Sequence, residues 1–375
     1  MEAVKRIYAD HAATTKLCEA AFNAMLPFLR NEFGNPSSLH SWAKEPRSAI
    51  NVAREKIAQC INAKPEEIHF TSGGTEANNW VIKSTDGTLS VSSYEHHSVL
   101  NSANSEAVRG RELLIIKPKM GGYIMPGNLS VLKSGTGLVS IMSANNEIGT
   151  TNPVKLLSET AHSKGYLFHT DAVQMLGHLN VDVKDWGVDY LSASAHKFNG
   201  PKGIGFLYCR KGAPLRPFLD GGSQESGLRA GTENVAAIVG MAAALEFNCS
   251  QIALQSFRLE RLATSLCDGI SRIKKDAHFP GRDIMPQLPG FVSVSFPGYS
   301  AESLLHMLDL KGIGVSAGAA CNSRMVKTSH VLKAIHLPRK LAKSTLRISL
   351  GYENTEDDVS AIIDVLKFAL KHNAT

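Results

Sequence analysis

Hydrophobic positions change period repeatedly along this chain. Short apolar runs of strand length alternate with stretches whose apolar residues recur every three or four positions, as they do in helices. Ala49, Ala53, Ile57 and Cys60/Ile61 recur at helical spacing after the turn-rich segment 34–38. A strand-like run, 67–70, comes next, then Thr71-Ser-Gly-Gly-Thr75 and a helix-compatible stretch from Glu76. Residues 138–142 read as a buried strand, 154–164 as a helix, 166–169 as a second strand and 189–193 as a third. Strand, helix and strand in this order predict parallel strands joined by right-handed crossovers, an α/β architecture. Polar residues cluster just after each strand, and open parallel sheets bind ligands at those carboxyl ends. The pattern locates a site before any motif is considered.

The texture changes near residue 250. Residues 235–245 read as a buried helix, and 252–275 as a charged amphipathic one. Residues 291–296 (FVSVSF) alternate like a half-solvated strand. Val359, Ile362, Ile363, Leu366 and Leu370 mark a closing helix, with Thr355 and Asp358 placed as a capping box. This part reads as a smaller α+β domain.

A chain of 375 residues is more than one core usually serves, which agrees with two domains. Hydrophobic residues at 43% and charged residues at 20% exclude a disordered class. Lys and Arg total 40 against 34 Asp and Glu, a net +6 with no run of five basic residues. No basic stripe for nucleic acid results. The longest apolar run, 235–245, falls short of the roughly 18 residues of a membrane span. The N-terminal residues lack the apolar stretch of a secretory signal, so a cytoplasmic location is expected. The 6 cysteines contain no C-x-x-C pair, which leaves a metal site or a disulfide framework unsupported. Apart from Cys321, most of them read as small buried hydrophobes in a reducing compartment.

Three features carry candidate chemistry. Glycines between a strand and a helix start, as in Ser72-Gly-Gly-Thr75, let backbone N–H groups and the helix dipole approach an anion. No Walker lysine follows them, and the same turn can be purely structural. Lys197 closes a strand expected to be buried on both faces; a desolvated amine has a lowered pKa and can condense with an aldehyde. An arbitrary lysine is more often simply exposed. Ser194 and His196 beside it can donate hydrogen bonds to a phosphate. Asp171 ends the neighbouring strand, where a carboxylate can keep a pyridinium nitrogen protonated or merely cap the next helix. Gln174 can reach the phenolic oxygen of such a ring. Phosphate turn, lysine and carboxylate together point to pyridoxal 5'-phosphate.

The ordered motifs resemble the cysteine desulfurases of the class V aminotransferase family nearly end to end. They include Tyr8-Ala-Asp-His-Ala-Ala-Thr-Thr15, Phe33-Gly-Asn-Pro-Ser37, Thr71-Ser-Gly-Gly-Thr-Glu-Ala-Asn78 and Glu95-His96. Further along come Asn145-Asn-Glu-Ile-Gly149, His169-Thr-Asp-Ala-Val-Gln174, Ser194-Ala-His-Lys197 and Gly221-Gly222. Arg229-Ala-Gly-Thr232, Ser316-Ala-Gly-Ala-Ala-Cys321 and Arg347-Ile-Ser-Leu-Gly351 complete the set.

The resemblance implies the fold type I of pyridoxal-phosphate-dependent transferases, with a mainly parallel, seven-stranded-type sheet. It implies a large cofactor domain over residues 13–252 and a small domain from 1–12 and 253–375 that carries a mobile cysteine loop. Lys197 is then the lysine joined to the cofactor and His96 the residue stacked on its ring. Asp171 and Gln174 hold the ring; Gly74, Thr75, Ser194 and His196 hold the phosphate, helped by Thr232 of the opposite subunit in a homodimer. Asn146 and Arg347 grip the substrate carboxylate, and Asn146 also lies by the cofactor.

Cys321 is similar to the nucleophile of the long-loop subgroup. The implied reaction takes L-cysteine to L-alanine, leaves a persulfide on Cys321, and passes its sulfur to an acceptor protein for iron–sulfur cluster or thio-cofactor synthesis. His11, Ser223, Ser226 and Ala319 depart from the commoner spelling, the loop after Cys321 lacks a frequent proline, and the chain ends at Thr375 without a longer docking tail. These differences bear on the acceptor rather than on the chemistry. A selenocysteine lyase, an ordinary aminotransferase and a non-catalytic sulfur carrier or scaffold are the alternatives. The last leaves Lys197, Asp171 and His96 without a purpose.

Overall fold

The computed structural model describes residues 5–282, 286–317 and 328–372. The described chain opens on β1 (Ile7–Tyr8). A seven-stranded sheet is then built from β2 (Ile68–Thr71), β3 (Thr88–Ser92), β4 (Leu113–Ile116), β5 (Gly137–Ser140), β6 (Tyr166–Asp171), β7 (Tyr190–Ser194) and β8 (Gly205–Cys209). Its order is β2-β8-β7-β6-β5-β3-β4. β8 runs antiparallel to both neighbours, and every other pairing is parallel. All strands except β8 therefore end at one edge. β9 (Phe291–Ser295), β11 (Ser316–Ala317) and β12 (Thr345–Ser349) form an antiparallel sheet, while β10 (Ile313–Gly314) pairs with β1.

Helices α1 (Glu19–Arg30) and α2 (Lys44–Cys60) precede the large sheet. α3 (Gly74–Ser84), α4 (His97–Val108), α5 (Val154–Ser163) and α6 (Val183–Trp186) are its crossovers. α7 (Val235–Ile273) follows, then α8 (Ala301–Leu310), α9 (His330–Ala334), α10 (Arg339–Ala342) and α11 (Glu356–His372). The capping box of α11 is present: Thr355 N–H donates to Asp358 Oδ2 at 3.1 Å, and Asp358 N–H to Thr355 Oγ1 at 3.3 Å.

Three cores lie among the described residues, one of them gathering Trp80, Val91, Val99 and Leu207 between α3, α4 and the large sheet. Of the other two, the larger gathers Ile57, Phe168, Leu191, Phe206 and Met241, and the smaller Ile7, Leu266, Val294, Leu304 and Ile362. α7 serves both, with Met241 and Leu245 in the first and Leu259, Leu262 and Leu266 in the second. The two stretches read as 235–245 and 252–275 are thus one 39-residue helix, whose first part packs in one core and whose last part packs in another, with no buried residue between Leu245 and Leu259. By length and composition alone α7 could span a bilayer; its apolar face is instead taken up by these cores.

β9 departs from the half-solvated expectation. The alternation is there, with Val292 and Val294 in the smaller core, but all five residues are buried. Ser295 shares its hydroxyl with Thr345 Oγ1 on β12 at 2.8 Å, so it needs no water. Cys18, Cys209 and Cys267 are buried, as expected for most of the cysteines, while Cys60 and Cys249 are half-buried.

Candidate active site

The carboxyl edge of the large sheet collects the polar segments that end β2, β3, β5, β6 and β7. After β2 the chain turns through Gly73, whose φ of 146° only glycine adopts freely, and enters α3 at Gly74 with no side chain capping its first N–H groups. Gly205 on β8 lies between Thr71 and Ser194 in the register. A Cβ there would stand 2.3 Å from the Ala193 carbonyl oxygen and 2.7 Å from Gly73 Cα, so its absence lets the turn settle against the end of β7. A Cβ on Gly73 would be 3.3 Å from Ser194 Oγ, which places that hydroxyl beside the open helix end. Thr75 is exposed in the first turn of α3. Glu76 in the same turn accepts from Ser72 N–H at 2.8 Å and from Arg229 Nε at 2.9 Å.

Asp171 ends β6 and is buried. Its Oδ2 accepts from Asn78 Nδ2 at 2.7 Å and its Oδ1 from Val173 N–H at 3.0 Å. Lys197 follows β7 by a single tight turn, and its Nζ donates to the Ala12 and Ala13 carbonyls at 2.6 and 2.7 Å. Burial, reinforced by the Arg347 guanidinium and opposed by Asp10 and Asp171, lowers Lys197 to a pKa of about 8. Gln174 Nε2 donates to the same Ala12 carbonyl at 3.0 Å. His196 Nδ1 meets Thr14 Oγ1 at 3.2 Å, and burial lowers this imidazole to about 4. The motif at 8–15 therefore forms the wall against which Lys197, Gln174 and His196 rest.

His96 caps α4. Ser98 N–H donates to its Nδ1 at 3.1 Å, which leaves the proton of the neutral ring on Nε2. Burial lowers its pKa, and Asp171 and Lys197 both act on it electrostatically, the first raising and the second lowering it. Glu95 beneath it is fully buried, accepts from Met142 N–H at 2.8 Å and from Ser92 Oγ, and is pushed by burial up to about 8.

Arg347 on β12 reaches the same edge from the smaller sheet. Its Nη2 pairs with Asp10 Oδ1 at 2.7 Å and its Nη1 donates to the Asn146 carbonyl at 2.8 Å, while its buried Nε has no partner. Asn146 thus meets Arg347 through its backbone. Cys321 lies outside the described residues, but both flanks of its segment touch this cluster. Ser316 Oγ donates to Asp10 Oδ2 at 2.9 Å, Ser329 Oγ to Glu147 Oε2, and His330 Nε2 meets the Glu95 carbonyl at 2.9 Å. Thr232 is exposed, in the segment anchored to α3 through Arg229 and Glu76.

Asn78, Asp10 and the Ala12 and Ala13 carbonyls stand in quoted motifs, yet sequence reasoning gave them no role. The signal for Asn78 was its place among Ala77, Trp80 and Val81, an amide on the buried face of a helix. Asn78 Nδ2 also donates to Ser98 Oγ at 2.8 Å, which joins Asp171 to the turn that holds His96.

The model of the family described as aminotransferase class-V matches residues 7–362. The chain belongs to that family. It is 44% identical to the cysteine desulfurase IscS of Dictyoglomus turgidum, over 97% of this chain and 94% of that one. It is 42% identical to the cysteine desulfurase IscS of Methanosarcina thermophila, over 96% and 91%. A solved NifS-like protein superposes with a TM-score of 0.92 at 36% identity, covering 98% of this chain and 100% of its own. SspA, solved in complex with cysteine, gives 0.80 at 34% identity over 92% and 99%.

Proposed function

We propose that this chain is a pyridoxal-phosphate-dependent cysteine desulfurase that converts L-cysteine to L-alanine and passes the sulfur on through a persulfide on Cys321. The observation that carries this reading is the convergence of Asp171, Lys197 and the open start of α3 on one sheet edge. The three match a ring nitrogen, an aldehyde and a phosphate. The site fits the cofactor by its donors: a carboxylate already oriented by Asn78, an amine held near neutrality by burial, and uncapped N–H groups beside Ser194.

In this reading Gly74, Thr75, Ser194 and His196 hold the phosphate, and Asp171 keeps the ring nitrogen protonated. Gln174 and His96 line the ring. The bound cofactor supplies an electron-poor ring that draws density from the substrate α-carbon. Lys197, lowered to about 8, reaches its neutral amine form far more readily than an ordinary lysine, and that form can take and return the carbon's proton. His96 stays neutral with Nε2–H available as a donor. The free Nε of Arg347 marks where a substrate carboxylate would complete the guanidinium's bonds, with Asn146 alongside. Cys321 as thiolate attacks the substrate sulfur; the C–S bond breaks, an S–S bond forms, and a proton goes to the substrate β-carbon. The contacts made by Ser316, Ser329 and His330 support the delivery of that thiol from the segment between them.

A homodimer, with Thr232 reaching the partner's phosphate, agrees with the exposed apolar side chains Phe22, Leu29, Phe33, Leu39 and Trp42 of one segment. One core draws only on residues 1–12 and 253–375, which supports a small domain of those segments beside a large one, 13–252; α7 runs across the boundary, and Leu288, Val331 and Ile335 join the core of the large domain. The sulfur acceptor is a protein of iron–sulfur cluster or thio-cofactor assembly, and the enzyme works in the cytoplasm.

The test is alanine and sulfide release from L-cysteine with a reductant. The wild type should release both. Lys197→Ala should lose both, along with the borohydride-trappable adduct. Cys321→Ser should still bind cysteine but form no persulfide. Undiminished sulfide release by Cys321→Ser would overturn the assignment.

A further inference from the structure

Two cysteines far apart in sequence meet away from the catalytic edge. Cys60 ends α2 and Cys249 lies in α7; both are free, half-buried and packed on the larger core. Their thiols are within hydrogen-bonding reach of each other. On the same faces, four residues before Cys60 and three before Cys249, Lys56 Nζ and Glu246 Oε2 form an ion pair at 2.7 Å. The ion pair shows that the faces of α2 and α7 carrying the two sulfurs adjoin. The mutual hydrogen bond holds Cys249 below the ordinary thiol range and pushes Cys60 above it, which makes Cys249 the better nucleophile.

We propose that Cys60 and Cys249 are an oxidisable dithiol that closes to a disulfide between α2 and α7 by exchange with low-molecular-weight disulfides such as glutathione disulfide. Cys249 as thiolate attacks one sulfur of glutathione disulfide, forms a mixed disulfide and expels a glutathione thiolate. That thiolate takes the proton of Cys60. The Cys60 thiolate then attacks Cys249 Sγ and expels the second glutathione. Two protein thiols are oxidised, and one glutathione disulfide is reduced to two glutathiones. The bond joins positions between which the whole large sheet lies in sequence, so the unfolded chain loses freedom and the oxidised form resists unfolding.

The experiment treats the cofactor-loaded full chain with glutathione disulfide, alkylates the remaining thiols and maps peptides by mass spectrometry. A cross-linked peptide joining Cys60 to Cys249 is expected, with a rise in Tm that dithiothreitol reverses. In the reduced protein Cys249 should alkylate faster than Cys60. Cys60→Ser should keep a stable glutathione adduct on Cys249, since the resolving thiol is gone. Separate glutathione adducts on both cysteines of the wild type, or both staying alkylatable without a cross-link, would overturn the proposal. None of these readouts depends on turnover of cysteine, so their failure leaves the desulfurase reading standing.

Discussion

Replacing Lys197 with methionine should stabilise the cofactor-free protein at neutral pH and destabilise it at alkaline pH. The folded chain holds this amine at about 8 instead of 10.5. At about 1.36 kcal/mol per pH unit, charging it inside the fold costs about 3 kcal/mol at pH 7. Methionine removes that cost. It also removes two hydrogen bonds, and the Ala13 carbonyl loses its lysine donor while Ala12 keeps Gln174. At about 1 kcal/mol for each lost bond, the net gain at pH 7 is about 1–2 kcal/mol. Between about 8 and 10.5 the unfolded chain binds the lysine proton and the folded chain does not, so wild-type stability rises with pH through that window relative to the variant. By pH 10 the charging cost has fallen to about 1 kcal/mol, and the lost hydrogen bonds should make the variant the weaker protein. Urea unfolding of both cofactor-free proteins at pH 7 and pH 10 measures the difference directly. A variant whose advantage is the same at both pH values, within about 0.5 kcal/mol, would refute the placing of an amine with a burial-lowered pKa at this site.

Asn78→Ala removes a charge-assisted bond to Asp171 and should weaken cofactor binding about 10- to 100-fold, read by titrating the cofactor-free protein spectroscopically; unchanged affinity would sink the link. Arg347→Lys keeps the charge but loses the fork that spans Asp10 and the Asn146 carbonyl, so KM for cysteine should rise about tenfold or more, with a smaller change in kcat. Gly205→Ala drives a methyl into the Ala193 carbonyl and should cost about 1–3 kcal/mol in urea unfolding; a neutral result would show that the turn at Gly73 can move away.

The sequence determined part of the elements and their strand-helix-strand order, while β3, β4 and β8 carried no local signal that was read. Period changes marked β6, β7 and α5 within a few residues of where they stand, and Thr355 with Asp358 announced α11, because these signals are local and need no distant partner. It also determined which residues crowd the carboxyl edge, since strand-helix-strand order leaves one place for a ligand. Tertiary structure decided what a local pattern cannot carry. α7 is one helix because two cores, assembled from both ends of the chain, each take part of its stripe. Ser295 of β9 is buried because Thr345, fifty positions on, satisfies it in place of water. Asp171 is aimed by Asn78 and Lys197 is held by Ala12 and Ala13, contacts that exist only once the sheet has brought distant turns together. Residue type assigns the chemistry; desolvation and hydrogen-bond geometry, which depend on every neighbour at once, set its strength.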